Sequence, residues 1–321
     1  MDIAVARQGI DYVSANAKRQ GEPYFELAFH GGGEPTVNWR TLTQATEYAQ
    51  QRADALDLDV RITTATNGVL SDEKIDWIIA HLDGVSLSCD GLPSTQDTHR
   101  PLANGTGSSA AVQRSMERFD EAGFPYGIRV EPAYPMGRWR SAPSAETESF
   151  IAAYRQAQAI VREYQQELFY SAARIDTLSN HFCSVSQDGF SLAHDGKVTA
   201  CYELFSPELP HAEAFFYGRP RSDGKGYQFD EDVVEGLRHM SVEHKPFCQG
   251  CFAKWHCAGD CHHRTMATSE GGEFRGSERC HITRELLKDQ ILERLQRTGV
   301  GFWHEPSSAM SNEECCAGGQ V

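Results

Sequence analysis

Seven of the ten cysteines in this chain lie in its second half and form one defined spacing pattern. They are spaced as Cys183-x12-Gly196-x4-Cys201, then Cys248-x2-Cys251-x5-Cys257-x3-Cys261, and finally Cys280. The sequence has no signal-peptide pattern, and thiols this dense in such a chain indicate metal or iron–sulfur ligation rather than disulfides. Because soft thiolates suit iron–sulfur clusters or zinc, the spacing predicts a centre of one of these two kinds.

A second candidate site lies near the start of the chain, in the segment His30-Gly31-Gly32-Gly33-Glu34-Pro35. It directly follows an apolar strand that we predict at Tyr24–Phe29. Three glycines at a strand end let the main chain approach a ligand without interference from a Cβ atom, and a glutamate can accept a hydrogen bond from an amine. Glycine-rich turns are common, so this segment alone is a weak signal.

The elements that must position these residues alternate between helix and strand. Helical periodicity predicts helices at 3–17, 42–56, 75–82, 112–119, 150–161 and 282–297. Apolar and β-branched runs predict strands at 24–29, 60–66, 85–88, 128–134 and 168–174. Such alternation predicts an α/β fold with a parallel sheet, and polar or glycine residues follow the strands where barrel-type proteins place their chemistry.

Domain organisation follows from where this alternation stops, near residue 176. We predict a partial parallel (β/α)6 barrel at 1–175, a small Cys-rich domain at 176–298 and a loose tail at 299–321. Because the chain opens on a helix, a first barrel strand and its loop would fit before residue 1.

Composition limits the class of partner. The chain has 321 residues, 40% of them hydrophobic, which is enough for a packed core. A net charge of −15 without any run of Lys or Arg argues against nucleic acid as a partner. No apolar stretch approaches the roughly 18–20 residues that span a bilayer, which argues against a membrane partner. We therefore expect a cytoplasmic protein.

The two motifs together resemble radical S-adenosylmethionine (SAM) enzymes. The glycine segment resembles the one that holds the SAM amino group in that family, here Gly31, Gly32, Gly33 and Glu34. The cysteine spacing resembles the SPASM domain, a C-terminal extension of radical SAM enzymes that modify peptides and proteins. The resemblance covers about residues 20–285. It implies a SAM site and two auxiliary [4Fe-4S] clusters.

The resemblance also implies which cysteines share a cluster. Cys183, Cys201 and Cys261 would hold the first cluster. The second cluster would take the remaining four, Cys248, Cys251, Cys257 and Cys280. Seven thiolates cannot fill eight positions, so the first cluster would have an open iron or a ligand other than cysteine. The alternative is a structural zinc module.

Four further residues are candidate SAM contacts by the same resemblance: Asn67, Ser88, Arg100 and Arg129. Asn67 and Ser88 follow predicted strands and would contact the ribose or carboxylate, although each is equally suited to form a turn. Arg129 falls in a strand whose side chains we expect to face the core, where an unpaired cation is costly, so a carboxylate ligand would suit it.

One feature of the family is absent. Radical SAM enzymes hold their reducing cluster through Cys-x3-Cys-x2-Cys, upstream of the glycine segment. No such triplet occurs here, and the only cysteine before Cys183 is Cys89, which we expect to be a buried apolar thiol. Loss of a contiguous N-terminal piece would explain the missing triplet and the missing strand together. A degenerate, non-catalytic relative is the alternative.

Two residues beside Cys201 are candidates for catalysis. In the anaerobic sulfatase-maturating branch, an Asp directly follows the second SPASM cysteine and acts as a base, whereas here Tyr202 and Glu203 follow it. This difference argues against sulfatase maturation. Tyr202 or Glu203 would take a proton or relay an electron beside the first cluster, or would simply pack there. Cys315 and Cys316 lie outside the pattern.

The expected function is maturation of a peptide or protein by a 5′-deoxyadenosyl radical, with the auxiliary clusters moving the electron left over or holding the substrate. A third [4Fe-4S] cluster would be present only with the Cys-x3-Cys-x2-Cys triplet, so the chain as given is expected not to cleave SAM. The resemblance implies an electron donor such as flavodoxin or ferredoxin. The alternative is a non-catalytic iron–sulfur protein that transfers electrons.

Overall fold

The computed structural model describes residues 1–124, 127–132, 146–187, 189–267 and 274–299. Helices and strands alternate through the first half, as the sequence predicts. They are α1 (Ile3–Gln20), β1 (Tyr24–Phe29), α2 (Trp39–Leu56), β2 (Asp59–Thr66), α3 (Asp72–His81), β3 (Gly84–Leu87), α4 (Pro93–His99), α5 (Ser109–Glu121), β4 (Ile128–Arg129), α6 (Thr147–Glu163) and β5 (Leu168–Phe169).

Local signals set several of these bounds. The Ser71 hydroxyl accepts from the backbone N–H of Lys74 and begins α3. Beyond the end of α5, Gly123 adopts φ +77°, a left-handed conformation that ends helices. Apolar faces of α1, α2 and α3 pack on β1 and β2 in one core that includes Ile10, Ile62 and Ile78.

The five strands of this half are parallel, which confirms the α/β prediction, but they do not form one continuous barrel wall. Strands β1, β2 and β3 pair in that order, and among the residues that the structure describes β4 pairs with β5 alone. The predicted strands 128–134 and 168–174 shorten to two residues each, and residues 133–134 lie outside the described part of the chain. Such short strands offer few backbone groups for pairing with β3.

The second half contains a sheet that the sequence did not predict. Four short antiparallel strands pair in chain order: β6 (Ser191–Leu192), β7 (Val198–Thr199), β8 (Phe216–Pro220) and β9 (Tyr227–Phe229). Helices α7 (Glu231–Arg238), α8 (Lys254–Cys257), α9 (His262–Ala267) and α10 (Glu278–Arg297) follow. Strands of two residues are too short to show a period of two in the sequence.

The two halves are joined through the last helix. Ile282, Leu286 and Leu287 of α10 share a core with Ile151 and Tyr154 of α6. Within the described residues, no helix is long and apolar enough to cross a membrane. The cysteines and the glycine turn therefore belong to two halves that pack against each other.

Candidate functional site

The glycine turn after β1 needs glycine for two reasons. Gly31, Gly32 and Gly33 have φ values of +74°, +63° and +153°, a region that side chains disfavour. A Cβ atom on Gly31 would also overlap the carbonyl oxygen of Tyr202, and one on Gly32 would lie 3.3 Å from Phe205. The closest approach at Gly31 is therefore to the segment that follows Cys201.

Glu34 is anchored by the end of β2. Its Oε1 accepts from Thr36 Oγ1 at 2.7 Å, from the Thr36 backbone N–H at 3.2 Å and from Thr66 Oγ1 at 3.0 Å. Its Oε2 accepts one hydrogen bond, from the Asn67 backbone N–H at 2.7 Å. A carboxylate oxygen can accept two, so Oε2 retains room for one amine donor.

Cys201 lies within electrostatic range of both Cys183 and Cys261. Burial raises the pKa of Cys201 to about 12 and that of Cys261 to about 11, and it also raises the pKa of Cys183. The thiolates of Cys183 and Cys261 raise the pKa of Cys201 further, and the charge of Glu203 acts on all three thiols. Each sulfur accepts a backbone N–H, donated by Val185, Glu203 and Arg264 respectively.

The other four cysteines line one pocket: Cys248, Cys251, Cys257 and Cys280. Burial raises the pKa of Cys257 to about 12, and the thiolates of Cys280 and Cys248 contribute to that rise. The Arg284 side chain hydrogen-bonds to Cys251. Seven cysteines thus form two groups, which we call the first group (183, 201, 261) and the second group (248, 251, 257, 280).

Two half-buried cations, Lys245 and Arg174, interact with the charges of cysteines in both groups. Lys245 Nζ donates to the Gly259 carbonyl at 2.5 Å, and burial lowers its pKa while thiolates of both groups counteract that effect. Burial likewise lowers the pKa of Arg174, which feels the charges of Cys257 and Cys183. Within the described residues, neither cation forms an ion pair with a carboxylate within 4.0 Å.

A buried ion pair fixes the loop between the groups. Arg279, beside Cys280, contacts Asp260, beside Cys261, at 2.6 and 2.9 Å, and both side chains are less than 10% exposed. Arg279 also reaches Glu131, after β4, at 3.2 Å. Removing one partner of such a pair typically costs about 3–5 kcal/mol, so this contact holds cysteines of both groups against the strand end.

These features fit iron–sulfur clusters. Hydrogen bonds to sulfur and nearby cations stabilise the anionic clusters that thiolates hold. Because burial disfavours the free thiolates, the cysteines give up their protons when a metal binds. Among the residues described, no three His, Cys, Asp or Glu side chains converge on a point that one metal ion would occupy.

The two predicted catalytic residues face different neighbours. The ring of Tyr202 lies 3.9 Å from that of His30, which follows β1, and burial raises the Tyr202 pKa. Glu203 accepts from His263 Nδ1 at 3.2 Å and Arg264 Nη2 at 3.4 Å. The His263 hydrogen bond is the main reason that the pKa of Glu203 is lowered.

Arg129 does not face the core as the sequence predicted. It is exposed, and so is Phe169, its partner in the register of the two-residue β4–β5 pair. Burial is the main reason that the pKa of His30 is lowered, and the charge of Arg129 lowers it further. The same charge opposes the rise of the Tyr202 pKa. Arg129, Tyr202 and Glu203 are therefore close enough for their charges or rings to influence one another or His30.

The remaining predicted SAM contacts have protein partners. Asn67 Oδ1 accepts from the Val69 backbone at 2.9 Å and forms a turn. The Ser88 backbone donates to Thr66 at 2.9 Å, and Arg100 Nε donates to Asp90 at 2.8 Å.

Sequence reasoning missed His30, Lys245 and the Asp260–Arg279 pair. Asp260 directly precedes Cys261 and Arg279 directly precedes Cys280, and this position beside a predicted ligand could have marked both as site residues. Cys89 is exposed rather than buried, and Cys315 and Cys316 lie outside the described residues.

Comparisons with known proteins bear on the fold and on the first half of the chain. The family model of the Radical SAM superfamily matches residues 10–131. A structure of native anSMEcpe with bound AdoMet and Cp18Cys peptide is similar at a TM-score of 0.69 and 16% identity, over 93% of this chain and 91% of that one. A second, native anSMEcpe with bound AdoMet, gives a TM-score of 0.68 and 16% identity over 94% and 90%. No curated protein matches in sequence. Residues 10–131 thus carry the sequence pattern of the Radical SAM superfamily, and the chain has the fold of these AdoMet-bound structures.

Proposed function

We propose that the chain is a radical SAM maturase of the SPASM type, which modifies a peptide or protein. The first group of cysteines would hold one auxiliary [4Fe-4S] cluster and the second group another. The observation that carries this proposal is the division of seven thiols into two separate groups, with the first beside the glycine turn. The domain bounds 1–175, 176–298 and 299–321 belong to the same proposal.

The described residues would bind and orient SAM at the end of β1. Gly31 to Gly33 expose backbone groups, and Oε2 of Glu34 would accept from an amine. When bound and reduced, a SAM-binding cluster supplies a 5′-deoxyadenosyl radical that removes a hydrogen atom from the substrate. Tyr202, which is 42% exposed and remains protonated because burial raises its pKa, would face that substrate.

A peptide substrate is supported by the relative's complexes. Two anSMEcpe structures contain the peptides Cp18Cys and Kp18Cys beside AdoMet, and this chain shares their fold. A flavodoxin or ferredoxin would supply the electrons. Replacement of the Asp that follows the second SPASM cysteine by Tyr202 favours a substrate other than a sulfatase.

A second candidate function is electron transfer without SAM chemistry. It is favoured by one observation, namely that the sequence contains no Cys-x3-Cys-x2-Cys triplet. This candidate uses the same two auxiliary clusters and differs only at the glycine turn.

Metal content tests the cluster assignment on which both candidates depend. Anaerobically reconstituted protein should contain about eight irons per chain, as two [4Fe-4S] clusters require, with a matching amount of sulfide. We expect broad charge-transfer absorption and no stoichiometric zinc. About one zinc per chain without that absorption would favour the structural zinc module instead.

A further inference from the structure

The first group offers three thiols where a [4Fe-4S] cluster takes four ligands. In the part of the chain that the structure describes, the eighth cysteine, Cys89, lies after β3 and its sulfur contacts the Gly91 carbonyl. A cluster held by the first group, which is the proposed function on which this inference rests, therefore has either an open iron or, among the described residues, a fourth donor of another residue type.

Glu203 lies between the chain segments that carry these thiols. Its backbone N–H donates to the sulfur of Cys201, two residues before it. Its carboxylate binds His263 and Arg264 of α9, a helix that begins directly after Cys261. The backbone N–H of that same Arg264 donates to the sulfur of Cys261. The Glu203 side chain thus links the segment after Cys201 to the segment after Cys261.

The segment that carries the third thiol, Cys183, packs beside the segment that carries Cys201. The turn after Cys183 and the strand end before Cys201 are in contact through Gly189, where an added Cβ would lie 2.7 Å from the Ser184 oxygen and 3.1 Å from the Ala200 oxygen. The negative charge of Glu203 also acts on each of the three thiols. Its side chain is 22% exposed, so it faces protein rather than bulk water.

The carboxylate has lone pairs to spare. One oxygen accepts from His263 and the other from Arg264, which leaves each oxygen a further acceptor position. Ionised carboxylates bind iron, and hydrogen bonds from a second layer of residues orient such ligands. His263 and Arg264 would have that orienting role here.

We propose that a carboxylate oxygen of Glu203 is the fourth ligand of the first auxiliary cluster. The main competitor is His262, whose Nε2 is buried without a hydrogen-bond partner in the described structure. Glu203 is preferred because its side chain links two of the ligand-bearing segments: it lies two residues after Cys201, and its carboxylate bonds to His263 and Arg264, which follow Cys261. The resulting set is three cysteines and one glutamate, with the other four cysteines left to the second cluster.

The test compares iron content and EPR spectra of the full chain, reconstituted anaerobically, with those of three variants. Glu203→Ala should lose the iron that lacks a protein ligand, so that iron falls from about eight to about seven per chain and the spectrum of an oxidised three-iron cluster appears. Glu203→Cys should restore four irons to the first cluster, because it supplies a fourth thiolate. Glu243→Ala, a control at an exposed carboxylate of the same half that binds Asn180, should leave iron and spectra unchanged.

The spectrum of the second cluster reports whether each variant is folded. If Glu203→Ala keeps the wild-type iron content and spectrum while that signal is intact, the assignment is wrong. Loss of the same iron on replacing His262, or on replacing Cys315 and Cys316 together, would also overturn it. Wild-type protein that binds no cluster at all would instead contradict the proposed function, so the two failures are distinguishable.

Discussion

Residues 1–321, reconstituted with iron and sulfide and incubated anaerobically with SAM and dithionite, are expected to release no 5′-deoxyadenosine above a cluster-free control. Reductive cleavage needs three thiolates that leave one iron open to SAM, and the sequence has a single cysteine, Cys89, before Cys183. The proposed auxiliary clusters would not replace that centre, because Glu203 would fill the fourth position of the first cluster and four thiolates would fill the second.

The assay is product quantification by chromatography, with a competent radical SAM enzyme run in parallel to show that reductant and SAM are active. Stoichiometric 5′-deoxyadenosine from residues 1–321 would show that another ligand set binds the reducing cluster. The proposal that this chain cleaves SAM only together with a Cys-x3-Cys-x2-Cys segment would then be wrong.

Replacing Gly31 with alanine should destabilise the protein more than the same change at Gly123. Both glycines have nearly equal left-handed φ values, +74° and +77°, so alanine has the same conformational cost of about 1–2 kcal/mol at each position. Only at Gly31 does the new Cβ meet protein, the Tyr202 carbonyl, whereas nothing lies within 4 Å at Gly123. Displacing packed backbone adds about 1–3 kcal/mol.

Midpoints of thermal unfolding, measured on reconstituted protein, check this difference. Gly31→Ala should also change the EPR spectrum of the first cluster, because Tyr202 directly follows Cys201, and Gly123→Ala should not. Equal losses of stability and unchanged spectra in both variants would show that the glycine turn and the segment after Cys201 do not touch in solution.

The sequence predicted the parallel half of the fold well because its signals are local. Tyr24–Phe29 is an apolar run closed by glycines, and α3 has a capping Ser71 before a regular apolar stripe. The antiparallel sheet β6–β9 was missed because its strands are too short for periodicity to appear. Exposure of Arg129 depends on how β4 and β5 pair with other strands, which a local pattern does not contain.

The candidate site was predicted in its residue types but not in its contacts. The resemblance to SPASM domains implied two sets of cysteine ligands. In the structure Cys248, Cys251, Cys257 and Cys280 line one pocket, and their ligation of a cluster stays a prediction. The approach of Tyr202 to Gly31 joins residues 171 positions apart, and the Asp260–Arg279 pair joins a loop to a helix. Such contacts depend on tertiary packing, so a local sequence motif does not predict them.

Iron loss after replacing one cysteine of each group tests the central claim, two separate clusters on two groups of thiols, most directly. Cys201→Ala should lower iron from about eight to about four per chain and remove one EPR signal, and Cys257→Ala should remove the other signal with a similar loss. The two difference spectra should add up to the wild-type spectrum. If either replacement removes all the iron from protein that is still folded, or if both remove the same signal, the thiols form a single centre and the account is contradicted.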